Sequence, residues 1–182
     1  MPEPEPPWAA LVLAGGRGSR LGGVDKASLV VGGRTLLDHV LDAVAPARQT
    51  VVVGPRKDGV PGVTWTREDP PGGGPVAGLT AGLAHVRTDL VVVLAVDQPG
   101  ITRSTVDRLL AAVGEHGAVL VDGDGRAQWL TGAWRVAALR AALPADPRDV
   151  SARSVLGPLE PVPVIARPGE ARDVDTPSDL TR

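Results

Sequence analysis

The sequence contains no cysteine, phenylalanine or tyrosine, and its net charge at pH 7 is only −2. Without cysteine the chain has no disulfide, no thiolate metal site and no cysteine nucleophile. Without Phe and Tyr it lacks the aromatic sheet surface on which common RNA-binding modules stack bases. The near-neutral charge provides no basic field for nucleic acid or an anionic membrane. We therefore expect neither nucleic acid nor a membrane among the partners.

Long apolar runs are also missing from the 182 residues. No segment reaches the roughly 20 apolar residues that a membrane-spanning helix needs. The first residues, "MPEPEPPW", lack the basic start and apolar core of a signal peptide. We expect a cytoplasmic protein in which residues 1–7 form a disordered tail and residues 8–182 a single domain.

Short Val- and Leu-rich runs alternate with segments of helical character along the chain. The predicted strands are 8–14, 50–54, 62–65, 90–96 and 117–121, and the predicted helices are 35–45, 76–86, 103–113 and 135–142. Thr35 and Thr102 are candidate N-caps, and Gly32-Gly33 indicates a hairpin. Because the strands are almost continuously apolar, both faces of their sheet should be covered. This alternation predicts an α/β fold with a mainly parallel sheet.

In such sheets ligands bind beyond the carboxyl ends of the strands. The loops after Ala14, Trp65 and Val96 should therefore share one edge of the sheet. The first of these loops lies within "LAGGRGSRLGGVDK" (13–26), which contains five glycines. It fails the dinucleotide pattern G-x-G-x-x-G, because Leu21 replaces the third glycine. It also fails the Walker A pattern, because Val24-Asp25 replaces Lys-Ser/Thr.

Two interpretations of this loop remain. Glycines let backbone N–H groups approach phosphate oxygens, and Arg17, Arg20 and Lys26 supply positive charge beside them. A flexible surface loop would explain the glycines but not their position at the end of a strand. Phosphate binding is the favoured interpretation.

Three further segments join this loop in one family pattern: "PPGGGPVAGLTAGL" (70–83), "AVDQP" (95–99) and "DVDTPSDL" (173–180). In this order they resemble the motifs of the MobA-like nucleotidyltransferases and cover nearly the whole chain. The resemblance implies a three-layer α/β/α, Rossmann-like nucleotidyltransferase fold. It also implies transfer of a nucleoside monophosphate from an NTP to a phosphate acceptor, with release of pyrophosphate.

The resemblance assigns roles to individual residues. Nucleotide binding falls to Leu13, Ala14, Gly15, Gly16, Gly18, Lys26, Asp69, Gly78 and Asp97. Backbone amides of residues 14–18, with Arg20 and Lys26 as catalytic residues, would neutralise the triphosphate. Asp97 would be catalytic as a ligand of Mg²⁺, a role favoured over capping of the following turn. Asp175, or Asp173, could supply a second carboxylate, although Asp175 could equally be a helix N-cap.

A flat acceptor could contact Gln128 and Trp129 in "RAQWLTGAWR" (126–135), since indole stacks on heterocycles. Packing in the core is an equal alternative for Trp129 and the favoured one for Trp134. Among the glycines of residues 70–83, Gly78 is the favoured contact for the nucleotide. Asp69 precedes Pro70, and a plain turn explains it nearly as well as nucleotide binding does.

The choice of nucleotide depends on conflicting motifs. L-A-G-G and G-G-x-D-K in the first loop resemble guanylyltransferases that act on molybdenum cofactor. They imply GTP as donor, Mo-molybdopterin as acceptor, and molybdenum-insertion proteins and molybdoenzymes as partners. Gln98 in "DQP" and Asp173 in "DVDTP" instead resemble the cytidylyltransferase relatives, which usually carry Ala at position 15. The alternatives are cytidylyl transfer to the same acceptor, nucleotidyl transfer to a sugar phosphate, and a nucleotide sensor without catalysis.

Overall fold

The computed structural model describes residues 5–15 and 23–181. The strands in this part of the chain are β1 (Trp8–Leu13), β2 (Val30–Val31), β3 (Arg34–Thr35), β4 (Gln49–Val53), β5 (Val63–Thr66), β6 (Leu90–Ala95), β7 (Gly117–Val121), β8 (Ala127–Arg135) and β9 (Val162–Ile165). The α-helices are α1 (Leu36–Ala43), α2 (Pro75–Leu83), α3 (Arg103–Ala111), α4 (Val136–Ala142) and α5 (Ala152–Leu156). Short 3-10 helices lie at Lys26–Ser28, Gly157–Leu159 and Pro177–Thr181.

Seven strands form one sheet in the order β5-β4-β1-β6-β8-β7-β9. All neighbouring pairs are parallel except those of β8, which runs antiparallel to β6 and β7. The predicted mainly parallel sheet is therefore confirmed. Since β8 runs the opposite way, its first residues lie at the edge where β1, β4, β5 and β6 end. We call this edge the carboxyl edge of the sheet.

Helices cover both faces of the sheet, which confirms the three-layer α/β/α architecture. One buried cluster joins the sheet to α1 and α3, and the other joins it to α2, α4 and α5. Alternate residues of β1 enter the two clusters: Ala10 and Val12 enter the first, and Ala9, Leu11 and Leu13 the second. A strand buried on both sides must be apolar at every position, which explains its unbroken hydrophobic run.

The local signals near α1 are also confirmed. The β2–β3 hairpin turns at Gly32 and Gly33, whose φ angles of 60° and 80° suit glycine in a two-residue hairpin loop. Thr35 caps α1 by accepting from the Asp38 N–H at 3.1 Å, while Asp38 accepts from the Thr35 N–H at 3.2 Å. Thr102 is the N-cap of α3.

The second half of the sheet was not predicted in full. Strand β8 carries polar residues and an irregular register opposite β7, so it shows no simple apolar pattern. Strand β9 is a short edge strand that contains Pro163. Within residues 5–15 and 23–181, the helices are too short or too polar to cross a bilayer.

Helix α2 packs closely on β1 and β4 because it presents glycines to them. A Cβ atom at Gly82 would lie 2.7 Å from Leu11 Cδ1 and 3.0 Å from Val53 Cγ2, both in fully buried side chains. A Cβ atom at Gly78 would lie 3.3 Å from Leu13 Cδ2, which is a milder contact. The two glycines thus differ in how much space the neighbouring strand leaves.

We predict that Gly82→Ala is less stable than Gly78→Ala. Both substitutions gain about 1 kcal/mol of helix propensity, so their difference isolates packing. Overpacking a tight core costs about 1–3 kcal/mol, and only Gly82 meets a contact that must shift. In urea unfolding, the free energy of unfolding of Gly82→Ala should be lower than that of Gly78→Ala by about 1–2 kcal/mol. Equal free energies of unfolding would contradict the packing described here.

Candidate active site

Three distant motifs meet at the carboxyl edge of the sheet. Lys26 begins the 3-10 helix that follows the glycine loop, Asp97 lies two residues beyond β6, and Asp175 lies in the C-terminal segment. Lys26 Nζ lies 3.1 Å from Asp175 Oδ1 and 3.5 Å from Asp97 Oδ2. The structure therefore brings together three of the residues that the motifs predicted, one of them 149 positions from Lys26.

The C-terminal segment is tied to β6 through its backbone. The Val174 N–H donates to the Asp97 carbonyl at 2.8 Å, and the Val174 side chain is buried among residues of the α1/α3 face. Asp173 and Asp175 flank this anchored residue. Both carboxylates are thereby held near Asp97, so three negative groups share one small region.

Electrostatics at this point favour a bound cation. Burial raises the pKa of Asp97; the charge of Lys26 opposes that rise and the charge of Asp175 adds to it. Burial also raises the pKa of Asp173, with Gln98 opposing the shift and Asp97 and Asp175 adding to it. Positive charge brought among these groups would favour their ionised forms.

The turn that follows Asp175 holds the backbone of this residue in place. Asp179 Oδ2 accepts from the Thr176 N–H at 2.8 Å, the Thr176 hydroxyl at 2.7 Å and the Asp175 N–H at 3.2 Å. The Thr176 hydroxyl and these backbone N–H groups hold the pKa of Asp179 below its usual value. No role for Asp179 was predicted from the sequence, although the spacing T-P-x-D is typical of a capping interaction.

The family model described as "MobA-like NTP transferase domain" matches residues 10–162. This chain belongs to the MobA-like nucleotidyltransferase family. A protein named molybdenum cofactor guanylyltransferase from Vibrio cholerae is 35% identical over 124 residues, which are 65% of this chain and 60% of that protein. One of the same name from Cereibacter sphaeroides is 31% identical over 189 residues, covering 94% of this chain and 93% of that protein.

Solved structures show the same fold. Molybdopterin-guanine dinucleotide biosynthesis protein A from Archaeoglobus fulgidus superposes with a TM-score of 0.67 at 23% identity, covering 96% of this chain and 95% of that one. The 2-C-methyl-D-erythritol 4-phosphate cytidylyltransferase from Thermus thermophilus gives a TM-score of 0.69 at 23% identity, covering 95% of each chain. The fold is that of the α/β nucleotidyltransferases.

The first loop of this MobA-like chain is joined to β4 at two backbone groups. The N–H groups of Ala14 and Gly15 both donate to the Val53 carbonyl, at 2.9 and 3.0 Å. They are therefore engaged by β4 in this structure, and binding of the triphosphate by the backbone amides of residues 14–18 stays a prediction. Other nucleotide contacts at Leu13, Ala14 and Gly15 stay predictions. The predicted residues Gly16, Gly18 and Arg20 lie outside the described residues.

Asp25, next to Lys26, has a structural role. Its carboxylate accepts from the Ala27 N–H at 3.2 Å and from the Ser28 hydroxyl at 2.9 Å, so it caps the 3-10 helix that begins with Lys26. Lys57 forms an ion pair with Asp25 and donates to Ser28 Oγ at 2.7 Å. These contacts fix the backbone from which Lys26 extends.

Asp69 lies in the loop after β5, and Gly78 lies in α2. Asp69 lines a cleft of about 450 Å³ between the loop after β5, one face of α2 and residues 146–148. The residues that line this cleft do not include Lys26, Asp97 or Asp175. Gly78 is buried within α2 against Leu13. Their contact with a nucleotide stays a prediction.

Gln128 and Trp129 lie at the start of β8 but make different contacts. Gln128 reaches the site through Gln98, whose Nε2 donates to Gln128 Oε1 at 3.1 Å. Trp129 packs against the cluster on the α2/α4/α5 face, near Gly157. Trp134 is fully buried there, as predicted. Acceptor binding by Gln128 and Trp129 stays a prediction.

The donor set fits a magnesium ion that is shared with substrate. The described residues contain no group of three or more His, Cys, Asp or Glu side chains placed to hold a metal by themselves. Mg²⁺ typically takes one or two carboxylates and completes its shell with water and phosphate oxygens. Asp97 and Asp175, which share Lys26 as a partner, supply that number of carboxylates.

A partly buried ion pair secures the C-terminal segment on α3. Arg108 Nη2 donates to Glu170 Oε1 at 2.6 Å and to Oε2 at 2.5 Å, and the Thr105 hydroxyl donates to Oε1 at 2.6 Å. Glu170 is only 5% exposed. Burial alone would raise its pKa, but these hydrogen bonds and one from the Arg167 N–H outweigh burial and lower it. No motif identified these residues, because they meet only in the folded chain.

We predict that Glu170→Gln destabilises the protein by about 1–3 kcal/mol at neutral pH, because it leaves the partly buried Arg108 without its charged partner. A carboxyl whose pKa is lowered by folding stabilises fully above its unfolded pKa, near 4.5. That stabilisation is lost as the pH falls through the lower folded value. The difference in the free energy of unfolding between wild type and Glu170→Gln should therefore become smaller below about pH 4.5.

Chemical denaturation across pH measures this gap. Asp107→Asn is the matched control, because Asp107 forms an exposed pair with Arg103. It should change the free energy of unfolding by no more than about 1 kcal/mol. A gap for Glu170→Gln that stays constant into acid would contradict the role assigned to its charge.

Proposed function

We propose that this protein is a molybdenum cofactor guanylyltransferase. It would transfer GMP from GTP to the terminal phosphate of Mo-molybdopterin, forming the guanine dinucleotide cofactor and releasing pyrophosphate. The observation that carries the proposal is the meeting of Lys26 with Asp97 and Asp175 at the carboxyl edge of the sheet. The names of the relatives with 31–35% identity support the choice of acceptor and nucleotide.

The chemistry requires positioning and charge stabilisation more than covalent participation. The acceptor phosphate attacks the α-phosphorus of GTP in line, the bond to the β-phosphate oxygen breaks, and pyrophosphate leaves. Lys26 is a mobile point charge that neutralises the triphosphate and the leaving pyrophosphate. Arg20 would add a second positive charge.

Asp97 and Asp175 would hold Mg²⁺ in this proposal. When bound there, the ion withdraws charge from the phosphate oxygens and so favours attack on phosphorus. Asp97 is suited to this role because it lies at the end of a buried strand and is itself 28% exposed. Its backbone carbonyl is bound to Val174, so its position is fixed at the main chain.

The proposed cellular setting follows from these substrates. The enzyme works in the cytoplasm, where GTP is available. It receives Mo-molybdopterin from molybdenum-insertion proteins and delivers its product to molybdoenzymes. Residues 8–182 would act as one nucleotidyltransferase domain, and of the tail expected at residues 1–7, residues 1–4 lie outside the described residues.

Position 15 offers a test of guanine specificity. A Cβ atom at Gly15 would lie 3.7 Å from the Val53 carbonyl oxygen and 3.8 Å from Gly54 Cα, which are ordinary contacts. The described neighbours therefore leave room for an alanine. A requirement for glycine would then come from a ligand, and the guanine base is the group we propose there.

The features that resemble cytidylyltransferases do not contradict this assignment. Gln98 is 4% exposed, and its Nε2 donates to Asp173 Oδ1 at 2.8 Å. Gln98 and Asp173, the two residues that depart from the guanylyl pattern, are thus hydrogen-bonded to each other. Being buried, Gln98 is poorly placed to select a base. Cytidylyl transfer remains the alternative that the test below decides.

A panel of GTP, CTP, ATP and UTP with Mo-molybdopterin tests the proposal by pyrophosphate release. We expect turnover with GTP and a selectivity over CTP of about 100-fold or more, because a hydrogen-bonded base pocket strongly rejects the wrong base. Gly15→Ala should lower selectivity for GTP without changing thermal stability. Turnover with CTP alone contradicts the guanine assignment, and tight GTP binding without release with any nucleotide supports a sensor.

Asp97→Asn tests the metal assignment. The variant should lose pyrophosphate release by about 100-fold or more, since the carboxylate that holds the ion is gone. Its melting temperature should stay equal or rise, because burial raises the pKa of Asp97 and disfavours its charged form in the folded state. Thermal unfolding and turnover with Mg²⁺ are the measurements. A folded variant with wild-type turnover would show that Asp97 is not a metal ligand.

A further inference from the structure

Gln98 makes three hydrogen bonds directly beside the reaction centre. Its Oε1 accepts from the Thr131 hydroxyl at 2.5 Å, and its Nε2 donates to Asp173 Oδ1 at 2.8 Å and to Gln128 Oε1 at 3.1 Å. Both amide hydrogens and the amide oxygen are thus in use. A carboxamide that is 4% exposed and fully hydrogen-bonded is held in one conformation.

The orientation of this amide is determined by its neighbours. A reversed Gln98 would place its oxygen against the Asp173 carboxylate, where two acceptors would face each other. Gln128 is itself fixed, because its Nε2 donates to Asp122 Oδ2 at 3.0 Å. The other oxygen of Asp122 accepts backbone N–H groups of its own turn, at Asp124 and Arg126.

An irregularity in β8 makes this arrangement possible. Val119 pairs with Gly132, but the next residue, Leu120, pairs with Gln128, so residues 129–131 bulge from the ladder. In a regular strand, side chains three positions apart point to opposite faces. Here Gln128 and Thr131 both reach Gln98. Bulges of this kind re-aim side chains and occur frequently beside active sites.

We propose that Gln98 is a positioning residue that holds the Asp173 carboxylate at the reaction centre, and that Thr131 fixes the orientation of its amide. The inference rests on the proposed function, because the centre in question is the one formed by Lys26 and Asp97. Asp173, Asp97 and Asp175 are like charges close enough to influence one another. Without the amide donor, repulsion would move the Asp173 carboxylate away from Asp97 and Asp175 and change the charge around Lys26.

Four variants test the proposal. Gln98→Met removes the amide at similar length, Thr131→Val removes the hydroxyl, and Thr131→Ser restores it. Thr88→Val is the matched control, because the Thr88 hydroxyl donates to the Leu90 carbonyl at the opposite end of β6. Each variant is measured for kcat and KM with the nucleotide that the wild type uses, and for melting temperature.

We expect Gln98→Met and Thr131→Val to lower kcat by about 10- to 100-fold, as loss of a supporting hydrogen bond does in other sites. KM for the nucleotide should change by less than about threefold, because the lost interaction acts on positioning rather than on ground-state binding. The kcat of Thr131→Ser should stay within about threefold of the wild-type value, and the kcat of Thr88→Val should equal the wild-type value. Wild-type kcat in folded Gln98→Met and Thr131→Val would overturn the proposal.

Crystal structures of wild type and Gln98→Met give a readout that does not depend on turnover. The Asp173 carboxylate should move by about 1 Å or more, a displacement large enough to impair catalysis. An unmoved carboxylate would overturn the inference. Should wild type release no pyrophosphate, the proposed function fails while this displacement still decides the positioning role. If Gln98→Met does not fold, the Thr131→Val structure is used, because it removes only one hydroxyl.

Discussion

The concentration of negative charge beyond β6 is the constraint on which the site depends. Asp97, Asp173 and Asp175 repel one another, and burial raises the pKa of Asp97 and Asp173. Lys26 is the cation that the described residues place among them, within 3.5 Å of two carboxylates. Such an arrangement persists only if each carboxylate is held by the surrounding chain, and several otherwise separate features of the fold serve this purpose.

Each segment that contributes a charge is secured by its own contacts. Asp25 caps the turn that presents Lys26, and Asp179 caps the turn that follows Asp175. The hydrogen bond from Val174 to the Asp97 carbonyl joins the last segment to the sheet. Earlier in that segment, Glu170 is bound to α3. Residues that never contact substrate in our proposal thus determine where the charged groups lie.

Much of this could be predicted from the sequence, for physical reasons. Strands β1, β4 and β6 are covered on both faces, so their apolar runs revealed them, and the α/β architecture followed from their alternation with helices. Lys26, Asp97 and Asp175 follow recognisable motifs at strand ends or near the chain terminus. Strands β8 and β9 were missed, because β8 is irregular and partly polar and β9 is a short edge strand.

By itself, the sequence determined the family, the fold class and three central residues, because these depend on local patterns and ordered motifs. Only the tertiary structure decided which groups meet. It showed that the Ala14 and Gly15 amides bind Val53, and that the buried Gln98 is hydrogen-bonded to Asp173. It also revealed the ion pair of Arg108 with Glu170. Hydrogen bonds between residues tens of positions apart leave no periodicity in the chain, since they arise only when the sheet brings its edges and ends together.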